Sequence, residues 1–409
     1  MILKNKNFLL LFLSRFSSVF GDAMLFILLL TMLDNLNTSS VGLSLFYIYS
    51  TIPALLFSVP AGAIIEKNYL QKVMSITNIN RIILILSLIL LQFISSPSQT
   101  SIYLLVFMVM ANHVFYIPAN SSLLTKIVKK EDVVNANSHI QITMMVARLG
   151  SYACSAWLIK IGISFNNILF IIALIYALSL AFIISIKPYY KSHKNNSNTS
   201  YFQDISEGMN YIKSNRIFSR LFLIFGLSWI VGSSIDIFLI SYLTNILNRG
   251  PEDLYLITTF SLIGITIGSL LAPYLYRKID AKIGILLSSL FFSIVIILFS
   301  LKLPIWILLI SLFIGGITQG LFLIFINTYL QTHVQENLLA RVYSFYNLLY
   351  TGATLPGYLL FGYLIKYMGV INTGFIISIY LFFASLMTMA ILPKMNSNSK
   401  LTETKELNY

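Results

Sequence analysis

Charge is what this chain has least of. Lys, Arg, Asp and Glu make up 10% of its 409 residues, against 57% hydrophobic residues. A water-soluble chain of this length cannot hide so much apolar side chain in one or two cores. The shortage of charge therefore excludes a soluble protein. Cysteine is nearly absent as well. Cys154 stands alone, so no internal disulfide is possible. No Gly-x-x-x-x-Gly-Lys-Ser/Thr run occurs, and ATP hydrolysis by this chain has no support. No His-Glu-x-x-His pair marks an intramembrane metalloprotease. The expectation is a protein that is not an enzyme and holds neither metal nor cofactor.

What the chain has in plenty is long apolar runs. A membrane span needs about 20 mostly apolar residues. Twelve runs qualify, from residues 8–33 at one end to 371–392 at the other. The first run follows Lys4 and Lys6, as in a signal peptide, but it is too long and lacks a small-residue cleavage site. It reads as a retained helix. The fold class expected is an all-α membrane protein of twelve transmembrane helices. The runs fall six and six. Residues 1–187 read as an N-terminal six-helix bundle, 188–216 as a cytoplasmic linker and 217–395 as a C-terminal six-helix bundle. Residues 396–409 form an Asn-rich tail whose composition predicts disorder.

The net charge of +13 invites a nucleic-acid reading, but its placement argues against one. With the N-terminus assigned to the cytosol, twenty Lys and Arg fall on inside segments. Four fall on outside loops (Lys160, Arg249, Lys302 and Lys366), and Arg15, Arg81 and Arg148 lie within spans. That is the positive-inside pattern of a multi-span protein with both termini in the cytosol. The partners expected are a lipid bilayer and a small-molecule substrate, not nucleic acid, and a monomer is expected.

The second half replays the first roughly 206 to 214 positions later. Trp157-Leu158-Ile159-Lys160-Ile161-Gly162 returns as Tyr363-Leu364-Ile365-Lys366-Tyr367-Met368-Gly369. Asn120 to Leu123 matches Asn327 to Leu330, and Ala61 to Lys67 matches Ala272 to Lys278. Asp22 is answered by Asp236. Such duplication is how transporters set a site between two bundles that rock against each other. The two bundles are expected to be pseudo-symmetric.

These residues resemble the major facilitator superfamily. Gly62-Ala63-Ile64-Ile65-Glu66-Lys67, followed by Lys72, looks like its signature loop between spans two and three. Glu66 stands where Asp is usual and Lys67 where Arg is usual, and the glycine between that pair and the basic cluster is missing. Lysine lacks the bidentate fork of arginine. The resemblance implies that Gly62, Glu66, Lys67 and Lys72 serve a cytoplasmic gate. Setting topology is the plainer task of the same lysines. Within the superfamily the chain resembles the macrolide-efflux and enterobactin-exporter-like branch. Tyr116 to Leu124, Val134 to Ser138, Glu207-Gly208 and Leu339 to Ser344, leading to Gly357 to Gly362, carry that likeness. It implies a bacterial inner-membrane exporter of the major facilitator fold. An acid usual one turn before the Arg of span three is absent, since the run here is Asn78-Ile79-Asn80-Arg81.

A charge at the bilayer centre costs several kcal/mol unless paired or wetted, so five residues stand out: Arg15, Asp22, Arg81, Arg148 and Asp236. Arg15 and Asp22 are seven apart and share one helix face. They fit a proton-coupling pair, or a permanent ion pair that holds helices together. Asp236 fits a second proton site or a structural cap. Arg148 lies deep enough to need an anion, which Asp22, Asp236 or a substrate would supply. Arg81, about 12 Å into its helix, is expected to snorkel toward the cytosol or brace the loop at Glu66. His113, beside Asn112, reads as a proton relay or as a packed, hydrogen-bonded histidine. Gln319, Asn327 and Tyr346 are candidate cavity contacts. Gly264, Gly268, Gly315 and Gly316 allow close helix approach.

The function expected is secondary active export of a small amphipathic molecule by proton-coupled alternating access. Three intramembrane Arg against two Asp favour a siderophore or similar metabolite. The alternatives are a multidrug or macrolide efflux pump, and an importer or a non-transporting membrane sensor.

Overall fold

The computed structural model describes residues 5–36, 39–94, 97–128, 133–190, 201–232, 235–276, 278–334 and 336–391. All elements of any length among them are helices. They form two compact units, and the chain passes between the units more than once.

The first unit holds residues 1–197 and, from far along the chain, 249–255. Its helices are α1 (Lys6–Asn35), α2 (Ser40–Lys67), α3 (Leu70–Ile94), α4 (Gln99–Ile127), α5 (Val133–Lys160) and α6 (Phe165–Ile184). Side-chain caps fix several starts. Asn5 accepts from the amides of Asn7 and Phe8, and Ser39, Ser98 and Ser164 accept at α2, α4 and α6. Helix α1 is mostly apolar and runs through the middle, packing on α4, α5 and α6. Helix α4 packs against α2 on one side and α3 on the other.

The returning segment 249–255 is a strap with a single 3-10 turn, Pro251–Asp253, laid against α1 and α5. Buried Asp253 holds it. Its carboxylate accepts from the Lys160 ammonium at the end of α5 and lies 3.2 Å from Arg249. Lys160 also sits over the Tyr255 ring.

The second unit holds residues 198–248 and 256–409. It contains α7 (Tyr201–Ser214), α8 (Arg216–Gly232), α9 (Ile235–Asn245), α10 (Leu254–Tyr276), α11 (Ala281–Ser300), α12 (Ile305–His333) and α13 (Glu336–Ile391). Helix α7, which the sequence reading places in the linker, packs on α8 and α13 as part of this unit. Rings of Phe218, Phe222, Phe225, Trp229, Phe325, Tyr329 and Tyr346 build its core. The expected glycine approach is present between α10 and α12. A Cβ on Gly264, Gly268 or Gly316 would collide with the carbonyl oxygen of Phe313, Ile317 or Ser261 respectively.

The repeat has a conformational signature. Gly162 and Gly369 both take the left-handed conformation, with φ of 79° and 77°. At Gly162 the turn closes α5, with Ile163 N–H on Leu158 C=O and Gly162 N–H on Ile159 C=O. At Gly369 it breaks α13 into two arms.

Ten stretches among the described residues are long and apolar enough to cross a membrane. One of them, Leu348–Ile391, contains the Gly369 break and so holds two of the twelve expected spans. Helix α5 is long enough but more polar than the rest, and makes up the difference. Burial is inverted relative to a soluble protein. Trp306 and Leu270 are 72% and 75% exposed, while Arg81 is 0% exposed. Large apolar side chains facing outward suit lipid rather than water. The tail from residue 396, residues 191–200 of the linker, and the side chains of Gly62 and Glu66 lie outside the described residues.

Candidate functional site: a buried polar cluster in the first unit

Four helices deliver polar groups to one place by helical spacing. Helix α1 supplies Ser14, Ser18 and Asp22, four apart and so on one face. Helix α3 supplies Asn78 and Arg81, α4 supplies His113 and Tyr116, and α6 supplies Tyr176 and Ser179, each pair three apart.

Asp22 is the centre. Its Oδ1 accepts from the Tyr176 hydroxyl at 2.6 Å and lies 3.5 Å from Arg81 Nη1. Its Oδ2 lies 3.2 Å from His113 Nδ1, but without the alignment of a formed hydrogen bond. Arg81 donates to Ser18 Oγ at 2.8 Å, and its other terminal nitrogen is 3.2 Å from the same His113 Nδ1. The guanidinium lies over the rings of Tyr116 and Tyr176. Ser14, Tyr116, Ser179 and Asn78 continue the polar chain along α1.

His113 Nδ1 faces two groups with opposite demands. A guanidinium needs a lone pair there, and an ionised carboxylate needs an N–H. One nitrogen serves one of them at a time. Adding a proton to the Asp22–His113 pair therefore changes which bonds Arg81 can make.

The structure corrects the expectation for Arg81. It does not snorkel; it is fully buried, its terminal nitrogens go to Ser18 and His113, and it is the cation on Asp22. Arg15, expected to work with Asp22, points elsewhere. It is buried over the Tyr116 ring, with one terminal nitrogen 3.1 Å from Met144 Sδ. Its Nε and Nη1 have no partner among the described residues. Arg148, one turn beyond Met144 on α5, is exposed and makes no ion pair among the described residues.

The other candidates disperse. Asn112 turns away from the cluster and accepts from Asn80 at 3.2 Å. The bonds Asn80–Asn112 and Arg81–His113 thus tie α3 to α4 twice, one on an exposed face and one inside. Asp236 lies in the second unit within electrostatic range of Tyr350. Gln319 lines a small cavity there with Ser228, Trp229, Ser288, Ser289 and Thr318. Asn327 donates to Leu323 C=O of its own helix. Tyr346, expected in a cavity, is a core ring stacked on Phe225 at 4.6 Å. Lys67 and Lys72 are exposed at neighbouring helix ends. Among the described residues no group of three or more His, Cys, Asp or Glu could hold a metal.

Sequence reasoning missed Tyr176, Tyr116 and Ser18. Nothing in the sequence separates those two rings from the other tyrosines of 24. Ser18 does carry a signal, four residues before Asp22 on the same face.

Comparison with known proteins gives the following. The family described as transmembrane secretion effector matches residues 2–407. No curated protein matches by sequence. Among solved structures, a variant of the nucleoside transporter NupG superposes with a TM-score of 0.79 at 16% identity, over 95% of this chain and 100% of that one. A POT family transporter in complex with 5-aminolevulinic acid gives 0.74 at 13%, over 95% and 96%. A bacterial homologue of the iron transporter ferroportin, in an inward-facing state, gives 0.70 at 16%, over 95% and 99%. At these identities the likeness establishes the fold.

Proposed function

The chain belongs to the transmembrane secretion effector family and is a membrane transporter of the major facilitator type, and on that premise we propose that it exports a small amphipathic metabolite by proton-coupled alternating access. The observation that carries the reading is Asp22, placed on the central helix between Arg81, His113 and Tyr176, with one oxygen not hydrogen-bonded among the described residues. The family description, secretion, supports export as the direction.

With Asp22 ionised, Arg81 links α1, α3 and α4 through Asp22, Ser18 and His113. A proton on Oδ2 cancels the charge that holds Arg81, and the new O–H turns to the His113 Nδ1 lone pair, so the guanidinium loses both partners. The link between α1 and α3 weakens, which favours the other access state. The switch acts by geometry. A proton makes the cluster more positive, and by charge alone that would tighten an anion rather than expel it.

Charge favours anionic cargo. With His113 neutral, Asp22 is balanced by Arg81 and Arg15 is left over. Its two unpartnered nitrogens, with exposed Arg148 near by, suit a carboxylate or a catecholate, as in a siderophore. The Gly62–Lys72 loop is assigned the cytoplasmic latch.

Everted vesicles test the reading. Wild-type vesicles with an acidified lumen should accumulate a labelled catecholate siderophore and leave a macrolide behind. Asp22→Asn should abolish the gradient-driven part while still binding the siderophore. Gradient-driven uptake that survives in Asp22→Asn sinks the proton-site assignment, and a preference for the macrolide reverses the choice of cargo.

A further inference from the structure

The first unit has a second polar feature, on its outer side. Between α2 and α3, with α4 as its floor, lies a cleft of about 240 Å³. Its walls carry Ile64 and Asn68 from α2, and Lys72, Ile76, Thr77 and Asn80 from α3. Asn112 and Phe115 of α4 lie beneath. Ile64, Ile76 and Ile79 are exposed along the same face, so the cleft opens among lipid-facing side chains.

The arrangement is polar at two depths. Lys72 stands at the helix end that the charge pattern assigns to the cytosol. Asn80 lies eight residues further along α3, about 12 Å deeper into the membrane. There it donates to Asn112, which donates to Met108 C=O. Two carboxamides have more hydrogen-bonding positions than these two bonds use. Polar groups left unsatisfied toward hydrocarbon are costly, and a lipid acyl chain offers them nothing. A ligand with a polar group at that depth would satisfy them.

We propose that this cleft is a loading site for cargo drawn from the cytoplasmic leaflet. Its occupant is an amphiphile with an anionic head on Lys72 and a neutral hydroxyl or amide on Asn80 and Asn112, about 12 Å behind the head. The inference rests on the export reading above and names the spacing of groups the cargo must carry.

The test uses the full chain purified in detergent, with native mass spectrometry to count bound probe. The probes are stearate and 10-hydroxystearate, whose hydroxyl stands at a matching distance behind the carboxylate in the extended chain. The wild type should bind the hydroxylated probe about fivefold more tightly, the worth of one hydrogen bond. Asn80→Leu and Asn112→Leu should each erase that preference and leave stearate binding in place. Lys72→Gln should weaken both probes alike. Ile64→Trp, which fills the cleft and leaves Asn80 and Asn112 intact, should block both. Equal binding of the two probes by the wild type overturns the proposal, as does an undiminished preference in both Leu variants. Binding is read without a gradient. A chain that discriminates the probes but fails to export loses the transport reading and keeps the cleft; one that exports without discriminating does the reverse.

Discussion

Removing the Arg81 guanidinium would leave the Asp22 carboxylate inside the bundle with Tyr176 as its one formed hydrogen bond among the described residues. Breaking a buried pair from one side costs about 3–5 kcal/mol, because the remaining charge is uncompensated. Arg81→Ala should therefore lower the thermal unfolding temperature of the purified protein sharply. Adding Asp22→Asn should recover much of that loss. A double variant no more stable than Arg81→Ala alone would show that the two groups are not coupled. At this scale the sequence was half legible. Asp22 and His113 stand out because ionisable letters are rare in apolar runs. Arg81 stands out too, but its depth on α3 alone is compatible with reaching the cytosol. What holds it inside is Ser18, Tyr116 and Tyr176, on three other helices. Pairings of that kind have no local sequence signature.

Among elements, the α10–α12 seam was legible from its glycines, since small residues four apart let two backbones touch. Gly268→Ala would drive a methyl into the Ile317 carbonyl, whereas a methyl on Gly352 meets nothing within 4 Å. Overpacking of this kind costs about 1–3 kcal/mol. Gly268→Ala should unfold at a lower temperature than the wild type and Gly352→Ala should not; equal behaviour would mean the seam opens freely. The strap at 249–255 was illegible. Pro251, Glu252 and Asp253 read as an ordinary outside loop, and nothing in them names Lys160 as a partner. Its pH behaviour follows from the pair. The hydrogen bond to Asp253 raises the Lys160 ammonium above its ordinary value of 10.5. A raised lysine keeps its contact below that ordinary value and loses it as pH climbs through the higher one. Hydrogen exchange of residues 249–255, corrected for intrinsic rate, should not change between about pH 6 and 9. Asp253→Asn should speed it throughout that range, and an unchanged rate in that variant would show that Asp253 does not hold the strap.

At the scale of the molecule, span count and the six-plus-six repeat came through best, because hydrophobic length and a recurring turn at Gly162 and Gly369 are written in consecutive residues. The return of residues 249–255 to the first unit did not come through, because nothing in those consecutive residues announces it. That return sets an order of events during synthesis. When the ribosome has finished the first six helices, their bundle still lacks the piece that fits against α1 and α5. The missing piece is made after α8 and α9, a delay of roughly 3–14 s at ordinary elongation rates. Until then Lys160 has no Asp253, and the nascent first half waits in an unfinished form for a residue encoded in the second. A fragment ending at Ser197 should accordingly be degraded faster than the same fragment co-expressed with residues 198–409, and co-expression with the Asp253→Asn version should protect it less. Equal lifetimes in a pulse-chase would show that the first half is complete when it leaves the ribosome.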